Sequence, residues 1–339
     1  MEIYLKIKFF QLLTPIIMDF ILRLKYVFLL IFCAFFIGFP SKIMAQGCSD
    51  AGFCTMGALK PSQKFNKAMN VRLRSVELGQ YLGVTKFDDD IFVTNLDFNI
   101  GVGKKNTFQL KVPYMYVNAP LASTQGLSDI VLSFSRNVYF SEKNQINITI
   151  GTKVPIGGVN KTNKDNIVLP MYYQTSLGTY DIVIGASWLT HGWLVGVGIQ
   201  HPFNEIESKF KWGLWKNNED EQNARRYPVS QALKRGTDGM IRIEKSLRFA
   251  KFGFQVGGLA IYRFNKDEIL DPATNVRIKV EGTQGFAFTV LGSANYNFDT
   301  QSVLKIGFGR KAFDGISRLK NTDGLSREYV FTLGYEFRF

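Results

Sequence analysis

Histidine and cysteine are almost missing: the 339 residues include two of the first and three of the second. That scarcity excludes a multi-histidine metal centre, and a tetrahedral zinc site would need four such ligands close together. Proline is sparse as well, at ten. Beyond residue 45 no uncharged apolar run approaches the ~18–20 residues of a membrane-spanning helix. Gly101-Val102-Gly103 and Gly196-Val197-Gly198 open no helical pattern, which removes a phosphate-cradling loop. Phenylalanine, tyrosine and glycine are plentiful instead, at 30, 14 and 31, a composition that suits strands. With 46% hydrophobic and 20% charged residues the chain is neither disordered nor a bundle of spanning helices.

The first 45 residues stand apart. Arg23 and Lys25 precede an uncharged apolar stretch, Tyr26 to Phe39, and a short segment ending at Ala45, which reads as an export signal cleaved near Ala45. Met18 is then a candidate start, with residues 1–17 an upstream extension; a retained N-terminal anchor is the alternative. Residues 46–70 follow as a periplasmic segment carrying Cys48 and Cys54. In an oxidising compartment this pair is a disulfide candidate, and lipidation of Cys48 is the other reading. The formal net charge of +13, on an exported chain, points to anionic headgroups, lipopolysaccharide or an anionic solute rather than to nucleic acid.

From Val71 to Phe339 the pattern has period two. Tyr329, Phe331, Leu333, Tyr335, Phe337 and Phe339 share one face; Thr332, Gly334, Glu336 and Arg338 share the other. Twelve such segments are predicted: 71–83, 91–103, 107–117, 128–140, 145–154, 180–189, 193–203, 239–249, 253–265, 285–298, 301–311 and 328–339. Each is about long enough to cross a bilayer as a tilted strand. Alternation alone also fits a soluble sandwich. Connection lengths decide between the two, because short turns (104–106, 141–144, 190–192, 250–252, 299–300) alternate with longer loops (84–90, 118–127, 155–179, 204–238, 266–284, 312–327). One-sided loops and an even strand number predict an all-β fold, a transmembrane up-and-down antiparallel barrel of about twelve strands in the outer membrane of a Gram-negative bacterium. The segment 171–177 is read as part of a long loop that folds inward.

The ending Tyr335-Glu336-Phe337-Arg338-Phe339 resembles the signal that the barrel-assembly machinery reads, carried by Tyr335, Phe337 and Phe339. Gly126-Leu127-Ser128-Asp129, Lys153-Val154-Pro155-Ile156-Gly157 and Gly178-Thr179-Tyr180-Asp181 resemble the outer-membrane transporter family named for the meta-pathway of phenol degradation. That resemblance implies passage of small, often aromatic, molecules and assigns no catalytic or binding residue.

Projecting the alternation aims Lys111, Lys153, Arg242, Arg248, Arg263, Lys305, Lys311 and Arg338 at the lumen, with Asp97, Glu244 and Glu336. On the lipid face such charges would cost ~2–4 kcal/mol each at the midplane. A lumen this basic favours anionic solutes, although opposite charges can satisfy one another. Lys245 and Arg136 fall on the apolar face, which calls for a bulge or a rim position. Trp212 and Trp215 sit in the longest loop, either as a ligand gate or as anchors to the outer leaflet or to neighbouring loops. Asp88-Asp89-Asp90 lacks the spaced ligands of a calcium loop. His191 and His201 have no serine two residues away to serve as a nucleophile, so no enzyme, metal or cofactor is expected. The sequence predicts a passive channel or uptake protein for small, hydrophobic or anionic molecules. The alternative is a structural or surface-binding barrel whose lumen is closed.

Overall fold

A computed structural model describes residues 71–314 and 320–339; Cys48, Cys54 and the expected signal lie outside the described residues. Among the described residues no helix is long and apolar enough to cross a membrane. The described residues form fifteen strands: β1 (Val71–Val84), β2 (Asp90–Val102), β3 (Asn106–Ala119), β4 (Ala122–Leu127), β5 (Ile130–Phe140), β6 (Asn144–Val154), β7 (Asp181–Thr190), β8 (Trp193–Pro202), β9 (Asp238–Phe249), β10 (Phe252–Arg263), β11 (Glu268–Leu270), β12 (Arg277–Lys279), β13 (Gly285–Asn297), β14 (Ser302–Asp314) and β15 (Tyr329–Arg338). β11 and β12 form a separate hairpin. The others pair antiparallel in one sheet, which closes because β1 pairs with both β2 and β15. β4 and β5 share one wall position beside β3, so the wall is a closed barrel of twelve. Their break falls at Ser128 and Asp129, opposite Pro113, which has no N–H to offer; Ser128 N–H instead donates to the Pro113 carbonyl (2.9 Å).

The outward face explains why the sequence alternates. Ile148, Ile150, Ile184, Ile199, Ile241 and Val256 are among its exposed apolar side chains. At the long-loop rim Tyr180, Phe203, Tyr262, Phe264, Phe313 and Tyr329 face outwards; at the other rim so do Tyr139, Phe140, Trp193, Phe249, Phe252 and Phe339. In water so much exposed apolar surface would drive aggregation. Two aromatic girdles around an aliphatic band are what a lipid bilayer requires. Lys245 and Arg136 lie near the short-turn rim: Lys245 Nζ donates to the His191 carbonyl (2.8 Å) and lies 5.0 Å from the Trp193 ring. Beside Arg136 a bulge shifts the register between Asn137 and Tyr139.

The short-turn rim includes one two-residue turn in which His191 and Gly192 take positive φ (46° and 78°), the geometry of a tight hairpin. The opposite rim is less uniform than the sequence suggests. The loop expected at 84–90 is a turn of residues 85–89, closed by Thr85 N–H to the Asp89 carbonyl (3.1 Å). The loop expected at 118–127 is instead the hairpin of β3 and β4, turning at Pro120-Leu121. The long connections are 155–180, 203–237, 264–284 and 315–328.

Candidate functional site

Among the described residues chemistry-bearing side chains converge in the lumen, and its two ends differ. At the short-turn end it holds a cavity of ≈ 640 Å³, bounded by polar residues of nearly every strand and ending near Tyr81 and Leu291. At the long-loop end the connections fold inward over it.

In the cavity, cross-strand pairing sets up the charges. Glu77 stands directly opposite Asp97 on β2 and Glu336 on β15. This row of carboxylates is held by cations. Lys111 reaches Asp97 (3.1 Å) and Lys305 reaches both Glu77 (2.7 Å) and Glu336 (2.9 Å). Arg338 reaches Glu336 (2.9 Å), and on β9 Arg242 pairs with Glu244 two residues along the same strand (2.5 Å). A neutral stripe separates these groups: Ser135 and Thr149 hydroxyls lie 2.7 Å apart, and Asn137 donates to Asn147 (3.0 Å). Arg248 also lines the cavity.

The long-loop end is closed by two kinds of contact. On the side of β6 to β10, Lys153 lies 3.3 Å from both Asp129 and Asp181. Arg235 joins Asp181 (3.0 Å) to Asp323 (3.2 Å), and Arg263 bonds Asp238 (2.8 Å), Asp267 (3.0 Å) and Asp323 (2.8 Å). Ser176 donates to Asp129 and Thr322 to Asp267, so all four long connections meet in this network. Every member is buried. Burial opposes the charge of Asp323, but Arg263 and Arg235 overcome it and hold the carboxyl below the usual range. Burial pushes Asp267 upwards, Asp323 adds repulsion, and Arg263 compensates only in part.

On the side of β15 and β1 to β3, the inward positions are apolar: Tyr81, Ile91, Val93, Met115, Val117 and Val330. Against them pack Leu169, Tyr172, Tyr173, Phe210, Trp215 and Tyr227 from the loops. Trp215 is fully buried and donates through Nε1 to the Val168 carbonyl (3.1 Å), whereas Trp212 is partly exposed and donates to the Tyr227 carbonyl (2.9 Å). A chain of hydroxyls crosses this core. The Tyr173 and Tyr227 hydroxyls lie 2.9 Å apart, Tyr227 donates to Asp89 (2.5 Å), and Thr85 donates to the other oxygen of Asp89 (2.8 Å). Burial pushes Asp89 above its ordinary value despite these donors, and pushes both tyrosines well up.

Lys311 bonds Glu328 (2.5 Å) at the long-loop end. Phe337 and Phe339 face outwards, edge to face at 5.1 Å. His201 Nδ1 lies 2.8 Å from Thr237 Oγ1, and His191 Nδ1 lies 2.9 Å from Thr190 Oγ1. The strongly basic lumen read from the sequence needs correction. Asp97, Glu244 and Glu336 pair with Lys111, Arg242 and Arg338, and alternation misses six more acids, Glu77, Asp129, Asp181, Asp238, Asp267 and Asp323, which pair with Lys305, Lys153, Arg235 and Arg263. These six sit at strand ends, in inward loops or in a bulged strand, where simple alternation has no reach.

Wall and outward face together define a closed twelve-strand antiparallel barrel of the outer-membrane type. A crystal structure of an outer-membrane channel from Pseudomonas putida F1 is similar, with a TM-score of 0.53 at 12% identity, covering 83% of this chain and 99% of that one. Also similar are a NanC porin (TM-score 0.43, 10% identity, 79% of this chain and 100% of that one) and the outer membrane phospholipase A from Escherichia coli (0.37, 9%, 79% and 98%). At these identities the likeness concerns the fold. No protein-family model and no curated protein matches the sequence.

Proposed function

We propose that the chain is an outer-membrane channel or uptake protein for small solutes, with its short turns in the periplasm and its long loops outside. The observation that carries this is the polar cavity that the wall encloses on the short-turn side of an inward-folded plug. Charged and polar side chains around that cavity keep it wettable, as a path for small solutes requires. Solute movement is diffusion along those side chains, with the plug setting when the path is continuous. The resemblance to the meta-pathway transporter family belongs to the same proposal. Its three segments supply Asp129, Lys153 and Asp181, which form one ion cluster, so their joint presence has a physical reason. Tyr335, Phe337 and Phe339 are proposed to engage the barrel-assembly machinery, and the external loops lipopolysaccharide.

The test is conductance and solute flux of the full chain in planar bilayers and proteoliposomes, compared with a Trp215→Ala, Tyr227→Ala variant that loosens the plug. Measurable conductance, larger in the variant, is expected. If neither protein passes ions or solute, the channel reading fails. A closed, surface-binding barrel then replaces it, a reading favoured by the complete burial of Leu169, Tyr173, Phe210 and Trp215.

A further inference from the structure

Strict alternation counted back from Ser75 aims Leu73 into the lumen and turns Arg72 and Arg74 to the lipid. The structure does the reverse. A register shift between Leu73 and Ser75 sets Arg72 opposite Gly101, and both arginines line the cavity. A bulge is a common means of re-aiming side chains. Gly101 completes the arrangement, since a Cβ there would stand 2.1 Å from Arg74 Nε. Arg74 is fixed by donating to Thr107 Oγ1 (3.0 Å) and to the Asn106 carbonyl (3.4 Å). Lys105, in the turn between β2 and β3, lines the same mouth. Deeper in the cavity the carboxylates are engaged: Glu77 and Glu336 with Lys305, Asp97 with Lys111, Glu244 with Arg242. Among the described residues neither Arg72 nor Lys105 has an ion-pair partner.

We propose that Arg72, Arg74 and Lys105 form an oxyanion subsite at the short-turn mouth of the lumen, taking the carboxylate or phosphate group of a small solute. Guanidinium groups suit such planar or tetrahedral oxyanions through paired N–H donors, and a partly enclosed mouth strengthens the attraction. Its role in passage rests on the channel reading, whereas its binding of an anion does not.

The purified full chain is titrated calorimetrically with inorganic phosphate and, separately, with citrate, which distinguishes the two oxyanions. Binding of at least one is expected, weakened about tenfold or more by R72Q/R74Q/K105Q. Gly101→Ala keeps every charge but displaces Arg74, and a smaller loss is expected. Lys143→Gln, in a short turn outside the cavity, should bind as wild type. Folding of each variant is checked by its heat-modifiable migration. If wild type binds neither anion, or the triple variant binds as tightly, the subsite is overturned. Reversal potentials in a KCl gradient separate the two readings. Phosphate binding without any conductance removes the channel and leaves the subsite. Cation-selective conductance without anion binding removes the subsite and leaves the channel.

Discussion

The two sides of the plug close the same end of the lumen by different physics. Towards β1 to β3 the contact is aromatic and aliphatic: rings of Phe87, Tyr172, Tyr173 and Tyr227 meet at centroid distances of 4.7 to 5.6 Å. Towards β6 to β10 it is ionic, with three cations, Lys153, Arg235 and Arg263, among five aspartates. Apolar contact is non-directional and tolerates small displacements, so that side can shift and repack. The ionic side is all-or-none, because removing one member leaves its buried partners uncompensated. The difference identifies β6 to β10 as the fixed edge of the plug and β1 to β3 as the side more easily opened.

Breaking the ionic side should have the largest effect. Arg263→Gln strands Asp238, Asp267 and Asp323 and is expected to cost about 3–5 kcal/mol in urea unfolding from detergent micelles. Trp215→Ala on the aromatic side should cost about 3 kcal/mol, at the lower end for such truncations because a loop can partly collapse. Its loops should also exchange amide hydrogens faster while those near Arg263 stay protected. Tyr227→Phe removes one donor to a buried carboxylate and should cost about 1–2 kcal/mol by the same unfolding measurement. The smallest effect is a pH dependence. Asp89 lies above its ordinary value in the folded chain, so the folded state binds the proton more tightly than the unfolded one. Stability of the aromatic side should therefore rise as pH falls through that raised value, and level off below the ordinary carboxylate range. Asp89→Asn should flatten this rise; an unchanged profile would assign the proton to another group.

Much of the barrel was legible in the sequence because lipid and lumen impose opposite demands on successive residues. Phe252, Phe254 and Val256 face out, and the intervening Gln255 faces in, as alternation requires. Alternation fails where a residue is added. The bulges at Leu73/Ser75 and Phe288/Thr289 leave no mark in composition, so Arg72 and Arg74 were invisible as lumen residues. The plug was harder still. Asp323 meets Arg263 across sixty positions of sequence and Tyr227 meets Asp89 across 138, pairings that only the folded loops define. The hairpin of β3 and β4 was hidden for a local reason, since Pro120 and the small residues around it look like a loop although their neighbours pair regularly.

Closure of the wall has a consequence for how the protein is made. β15 fills the gap between β1 and β14, with Leu78 opposite Tyr335 and Leu304 opposite that same residue on its other flank. Without β15 the other wall strands would make an open sheet with two bare edges, each a row of unpaired backbone groups open to any other strand. A chain cut short before Tyr329 would thus present a sticky sheet rather than a slightly narrower barrel. Safe assembly must therefore keep the edges of β1 and β14 from other chains until β15 lies between them.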